Sequence, residues 1–337
     1  MSNVAIIGHG YWGPNLARCF AAENAAVRWI CDVDPARLRA AACMHPQAKL
    51  TTSARDVFHD AGTDAVVVVT PLESHYRLGM EALRSGKHLL LEKPLAARSG
   101  QAARLCDEAA KRNLVLMVGH TFVYHPAVER IRAIIAAGEL GEICYYDAVR
   151  INLGLVRQDV DVFWDLAIHD LSIIDRVLPY APCAVSAHGI SHFHGGRINT
   201  GYLTLRFAEN LIAHVHSNWL APVKTRRTLI GGSRKMIVLD ELEPSEKIKI
   251  YDCGVTVADT AENIYKKLYD YRVGDMFAPY VELTEPLRRE AAHFLKCIET
   301  KAAPTTDGAA GLKLVRILEA AEKSLRAGGR YVELHGS

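Results

Sequence analysis

Val4-Ala5-Ile6-Ile7-Gly8-His9-Gly10-Tyr11-Trp12-Gly13-Pro14-Asn15-Leu16-Ala17 is the stretch that sets the architecture. Four apolar residues in a row read as a short strand buried on both faces. Pro14 suits the first turn of a following helix, where its missing N–H is not needed. Strand, G-x-G-x-x-G and helix in this order form the dinucleotide-binding fingerprint in its proper context. Gly8 permits the tight turn, Gly10 lets the backbone approach a pyrophosphate, and Gly13 lets helix and strand pack closely. The loop, with Tyr11 and Trp12, then offers a helix N-terminus to phosphates. The motif calls for an acid about twenty residues on. A second strand over 26–31 ends in Asp32. Its carboxylate can accept both ribose hydroxyls and would repel a 2′-phosphate, which favours NAD over NADP. Arg37 and Arg39 weaken that preference without reversing it.

The next apolar strand, 64–69, ends in Thr70-Pro71-Leu72-Glu73-Ser74-His75, and a helix over 76–85 is stopped by Gly86. Gly86-Lys87-His88-Leu89-Leu90-Leu91-Glu92-Lys93-Pro94-Leu95 follows. Its leucines read as a buried strand that stops at a carboxylate, an ammonium and a proline. A helix over 99–112 precedes a strand over 115–118, which ends in Gly119-His120. Strands alternating with helices imply a doubly wound parallel sheet. Ligands of such sheets bind beyond the carboxyl ends of the strands. Thr70, Pro71, His75, Glu92 and Lys93 fall at that edge as candidate cofactor contacts, and His120 as a candidate substrate contact. Taken singly, Glu92-Lys93 is an ordinary surface ion pair, and His75 and His120 are ordinary loop histidines.

After a helix over 126–137 the pattern changes. Candidate strands cover 143–153, 184–188, 201–207, 212–219, 226–230, 235–239 and 247–251, and several alternate polar with apolar residues. Few helices intervene, so this is a large, mostly antiparallel sheet with one covered face. Helices over 286–300 and 308–327 close the chain. The reading is α/β: a Rossmann domain over 1–122 and an α+β domain for substrate binding and oligomerisation over 123–337. One helix, 162–175, interrupts the strands; on it Asp165 and His169 are four apart and share a face. A carboxylate so placed holds an imidazole in one tautomer and raises its basicity. Asp170 lies around the next corner. His188, His192, His194, His214 and His216 lack the cysteine or carboxylate that would complete a zinc pattern, so no metal is expected. The run 265–272 reads as a packed amphipathic surface.

With 337 residues, half of them hydrophobic, the chain can build two sizeable cores. A net charge of +2 argues against nucleic acid as a partner. No basic segment leads into an apolar one, and the apolar runs 65–69 and 89–91 are too short to cross a bilayer. The eight cysteines form no C-x-x-C pair and read as reduced thiols, so a cytoplasmic protein with no membrane partner is expected. The exposed sheet face suggests a homodimer or homotetramer.

The glycine motif, E-K-P at a strand end and D-x-x-x-H on a helix of a sheet-rich second domain together resemble the glucose–fructose oxidoreductase / inositol dehydrogenase (Gfo/Idh/MocA) family. The resemblance covers essentially the whole chain. Gly10-Tyr11-Trp12-Gly13-Pro14-Asn15-Leu16, Arg150-Ile151-Asn152-Leu153-Gly154 and Trp164-Asp165-Leu166-Ala167-Ile168-His169-Asp170-Leu171-Ser172-Ile173 look like its branch acting on nucleotide-linked sugars, particularly UDP-N-acetylglucosamine 3-dehydrogenases. Thr306-Asp307-Gly308 is also similar. The resemblance implies hydride transfer between NAD and a sugar hydroxyl carbon, with Lys93, Asp165 and His169 as the catalytic set. It implies a cis peptide before Pro94, and a sugar or nucleotide-sugar contact for Arg150 and Asn152. His169 would be the base, or Lys93 with its pKa lowered by burial; Glu92 would position Lys93 or the cofactor ribose. Ala97-Arg98 stand where the glucose–fructose oxidoreductase branch carries its tyrosine motif, which argues against that branch's tightly held NADP. Three activities fit these residues: a UDP-amino-sugar C3 dehydrogenase, a keto-sugar reductase or inositol-type dehydrogenase, and a non-catalytic NAD sensor.

Overall fold

Strand β1 (Asn3–Ile7) has Val4, Ala5 and Ile6 wholly enclosed, because parallel neighbours flank it on both sides. A computed structural model describes residues 2–334 apart from 155, 156, 158, 194, 195, 209 and 258–268. His194 and residues 265–268 of the amphipathic run therefore lie outside the described residues. The first sheet continues through α1 (Gly13–Ala22), β2 (Ala26–Cys31), α2 (Pro35–Met44), β3 (Lys49–Thr51), α3 (Ala54–His59), β4 (Ala65–Val68), α4 (Leu72–Arg84), β5 (His88–Glu92), α5 (Ser99–Lys111) and β6 (Leu116–Gly119). Its strand order is β3-β2-β1-β4-β5-β6, parallel throughout. The order reverses direction beside β1, which puts the glycine loop and the ends of β4 and β5 at the topological switch point.

Two local differences bear on the site. β5 runs on through Glu92 rather than stopping before it, since Glu92 pairs with Gly119 of β6. Helix α4 starts at Leu72, four residues earlier than the sequence reading, so His75 is helical and buried. The polar run Glu73-Ser74-His75 disguises the helix start.

The second sheet follows α6 (Pro126–Ala136). It is built from β7 (Ile143–Ile151), β8 (Pro182–Ile190), β9 (Thr200–Phe207), β10 (Ile212–Asn218), β11 (Thr225–Gly232), β12 (Met236–Asp240), β13 (Ile248–Tyr251), β16 (Met276–Phe277) and β17 (Val332–Glu333). The order is β16-β13-β12-β11-β7-β10-β9-β8-β17, antiparallel except for the β7–β10 pair. A separate hairpin joins β14 (Gly254–Val257) and β15 (Tyr269–Arg272). β9 shows the one-sided pattern: Leu203, Leu205 and Phe207 are buried while Tyr202 and Arg206 are exposed. The interrupting helix is composite. A π-helical turn, Phe163–Ala167, leads into α7 (Ile168–Val177).

The chain divides into two compact units, Met1–His125 with Thr284–Glu319, and Pro126–Leu283 with Ala320–Ser337. The sequence reading cut once, at 122/123, and left everything after it in the second domain. The difference is α8 (Pro286–Thr300) with the first part of α9 (Gly308–Arg326). Leu287, Ala291, Phe294 and Cys297 of α8 join Val4, Ile6, Phe20, Val67 and Met117 in one core. Phe294 packs edge-on against Phe20 with ring centroids 6.1 Å apart. Helical periodicity identifies a buried face but not the surface it covers.

Candidate active site

Gly8 has φ +97°, and a Cβ there would lie 2.5 Å from the Val69 carbonyl oxygen. A Cβ on Gly13 would lie 2.3 Å from the Gly8 carbonyl oxygen. Both positions therefore admit only glycine, the first for its turn and the second because α1 crosses the loop at backbone contact. The N-cap residue of α1, Trp12, makes no side-chain capping bond to the first N–H groups of the helix. Tyr11 and Trp12 stand exposed on the loop. These features suit a dinucleotide: Gly8, Gly10 and Gly13 with the helix N-terminus would hold its pyrophosphate.

Asp32 follows β2 and is buried. Its Oδ2 accepts from the His9 N–H at 2.6 Å and its Oδ1 from the Asp34 N–H at 2.9 Å. The carboxylate thus pins the glycine loop to β2, a structural duty beside the ribose contact expected of it. Arg37 lies 3.4 Å from Asp32 Oδ2.

At the end of β4, Thr70 and Ser74 share a hydroxyl–hydroxyl bond of 2.6 Å across Pro71. The ring of His75 sits beneath this turn. Nδ1 lies 2.8 Å from the Pro94 carbonyl oxygen and Nε2 2.8 Å from that of Thr70. His75 therefore ties the β4 end to the E-K-P segment from inside. The Lys93–Pro94 peptide is cis, as the resemblance implies. The Lys93 N–H donates to Glu92 Oε2 at 3.1 Å.

His120, one residue beyond β6, is buried with both ring nitrogens unpartnered among the described residues. Burial, reinforced by the positive charge of Lys93, lowers its pKa to about 3. The imidazole is therefore neutral at ordinary pH and presents one donor and one acceptor. Sequence reasoning passed over Glu290 of α8, which is fully buried and accepts from Thr121 Oγ1 at 2.9 Å. A signal was present: Glu290 interrupts the apolar stripe of Leu287, Ala291 and Phe294.

In the second unit, Asp161 Oδ1 accepts from the Phe163 and Trp164 N–H groups at 2.9 and 3.2 Å and so starts the π turn. Asp165 lies within that turn and His169 in the first turn of α7. The two flank a change of helical pitch rather than occupying successive turns of one α-helix. Trp219 Nε1 donates to Asp165 Oδ2 at 3.2 Å, and Arg157 approaches Oδ1 at 3.6 Å. Trp219 was not legible as Asp165's partner, because 54 residues separate them.

Arg150 is enclosed. Nε and Nη2 donate to Asp170 at 2.8 and 3.0 Å, and Nη1 donates to Glu241 at 3.1 Å. Burial opposes its charge, but the two carboxylates outweigh burial and keep the guanidinium protonated. Its donors are spent inside the fold rather than at the strand end where a substrate contact was expected. The Asn152 N–H donates to the Asn218 carbonyl at 3.0 Å and extends the β7–β10 ladder. Among the described residues no three His, Cys, Asp or Glu side chains gather as a metal site, and no helix is long and apolar enough to cross a membrane.

Two family models match: the oxidoreductase family with NAD-binding Rossmann fold over residues 2–120, and the GFO/IDH/MocA C-terminal domain over residues 128–238. The chain belongs to the GFO/IDH/MocA oxidoreductase family. Among relatives in that family, an uncharacterised oxidoreductase, YrbE, of Bacillus subtilis (strain 168) is 24% identical over 96% of this chain and 94% of its own length. The UDP-N-acetylglucosamine 3-dehydrogenase of Acidithiobacillus ferrooxidans is 28% identical over 76% of each chain. A levoglucosan dehydrogenase solved with NADH and levoglucosan superposes with a TM-score of 0.83 at 20% identity, covering 99% of both chains. At that identity the likeness concerns the fold. The family binds NAD and oxidises or reduces CH–OH carbons of sugars and polyols.

Proposed function

We propose that this chain is an NAD-dependent dehydrogenase whose substrate is a nucleotide-linked sugar, oxidised at C3 of a UDP-linked amino sugar. The observation that carries the chemistry is the end of β5 and β6. A lysine next to a neutral, buried imidazole with no partner among the described residues suits a hydroxyl group that must be held and stripped of a proton. The likeness to a UDP-N-acetylglucosamine 3-dehydrogenase supports the substrate.

When bound, NAD supplies the hydride acceptor. The protein's part is proton movement and charge stabilisation. His169 takes the carbinol proton, and Asp165 orients and charges that ring more favourably. Trp219, through its bond to Asp165, keeps the carboxylate from rotating. Lys93 donates to a substrate oxygen and stabilises alkoxide charge as it develops. His120 contributes a further donor or acceptor to a substrate hydroxyl. Arg150 holds Asp170 and Glu241 and so supports α7 rather than touching the sugar. Asp32, Thr70 and Pro71 flank the cofactor, and His75 supports the segment that carries Lys93.

The second reading, a keto-sugar reductase acting on a dTDP-sugar or an inositol-type polyol dehydrogenase, is supported by the likeness to a scyllo-inositol 2-dehydrogenase of Bacillus subtilis (strain 168), 27% identical over 55% of this chain. NADH formation measured with UDP-sugars, dTDP-sugars, inositols and free sugars separates the two. Lys93→Met should lower turnover about a thousandfold or more while NADH binding persists. Full activity in that variant defeats the scheme.

A further inference from the structure

Three successive residues at the end of β6 face three different ionisable groups. Gly119 has the Glu92 carboxyl against it: a Cβ there would lie 3.1 Å from Glu92 Cδ and 3.2 Å from Oε1. His120 feels the charge of Lys93. Thr121 Oγ1 donates to Glu290 Oε2 at 2.9 Å. Glu290 reaches this point from α8, is 0% exposed, and shares its helix face with the buried Leu287, Ala291, Phe294 and Cys297. Its Oε1 has no hydrogen-bond partner among the described residues.

A carboxylate ion in such surroundings is costly unless a cation pairs with it. Gly119, which the Glu92 carboxyl abuts, and Thr121, which bonds Glu290, are two residues apart, and the charge of Glu92 opposes ionisation of the buried Glu290. Glu92 is the partly exposed member and accepts from the Lys93 N–H. We propose that Glu290 is a positioning residue of the E-K-P segment, kept protonated as the neutral partner of the Glu92 anion, so that Glu92 stays in place and holds Lys93 and the cofactor side of the site. The role assigned to Lys93 rests on the dehydrogenase reading above.

Burial first, and the Glu92 charge second, push the Glu290 carboxyl well above its ordinary value. Two other titratable groups that feel its charge, Cys19 and Tyr124, are held in their neutral forms. Cys19 of α1 is pushed up to about 11, chiefly by burial, and Tyr124 of the turn after β6 is pushed up by burial too. Below the ordinary value of 4.5 the folded and unfolded chains both hold the Glu290 proton. Above it the unfolded chain ionises first, so this residue's contribution to stability falls as pH rises toward the folded value.

The test is thermal unfolding and NADH titration of the full chain, wild type and Glu290→Gln, from about pH 5 to about pH 9. The stability gain of Glu290→Gln over wild type should grow with pH. NADH affinity of the wild type should weaken about threefold or more on the alkaline side and stay level in Glu290→Gln. Thr121→Val, which removes a bond favouring the anion, should move the wild-type limb to higher pH. Equal pH dependence in wild type and Glu290→Gln overturns the proposal. So does a changed stability with an unchanged NADH profile, which is what mere packing would give. Neither readout uses a sugar, so NADH binding without sugar oxidation would defeat the dehydrogenase reading separately.

Discussion

A buried imidazole with both nitrogens unmet costs a protein about 1–3 kcal/mol. Both ring nitrogens of the buried His120 lack a partner among the described residues, which fits the substrate contact proposed for it. His120→Leu should therefore leave the unfolding temperature equal or higher while raising the substrate KM about tenfold or more. The same residue carries a pH signature. Its pKa falls from 6.5 to about 3 on folding, so the stability it allows above 6.5 is lost as pH falls toward 3. His120→Leu should flatten that acid limb in thermal unfolding; an unchanged limb would mean the ring is solvated. At this scale the sequence spoke through spacing. Asp32 was found by its distance from the glycine motif, and Lys93 by its place at a strand end. Glu290 and Trp219 were silent because their partners come from distant segments, Thr121 after β6 and Asp165 in the π turn.

Among the elements, β7 and α7 are joined by a buried ion cluster rather than by apolar contact alone. Arg150 of β7 holds Asp170 of α7 and Glu241 just beyond β12, and both side chains of the Arg150–Asp170 pair are 2% exposed. Replacing one partner strands the others without water. Arg150→Met should cost about 3–5 kcal/mol in denaturant unfolding. If Arg150 were instead a substrate contact, KM would rise with stability unchanged. The D-x-x-x-H spacing marked this helix correctly, but its first turn is π-helical. Four-residue spacing presupposes an α-helix, whereas here Asp161 accepts at the start of the wider turn and Trp219 donates to Asp165 within it.

For the whole molecule, the instructive segment is α8, which returns to the first unit after all but the last strand of the second sheet. Phe294 is fully enclosed against Phe20 and the strands carrying Val4 and Val67. Phe294→Ala should therefore destabilise by about 3–5 kcal/mol and lower the temperature at which NADH binding is lost. A loss of less than about 1 kcal/mol would show that α8 is only loosely docked. The chain reaches its nucleotide fold in two pieces far apart in sequence.

The order of strands and helices, the glycine loop and its acid, the strand-end lysine and the one-sided second sheet were all legible from residue order. Each depends on local chemistry: a period of apolar residues, a turn only glycine can make, a proline that ends a ladder. What covers what was not legible. The docking of α8, the enclosure of Arg150, the inward duty of His75 and the burial of Glu290 arise from contacts between distant segments. Such contacts fix burial, and burial decides which charged groups stay charged.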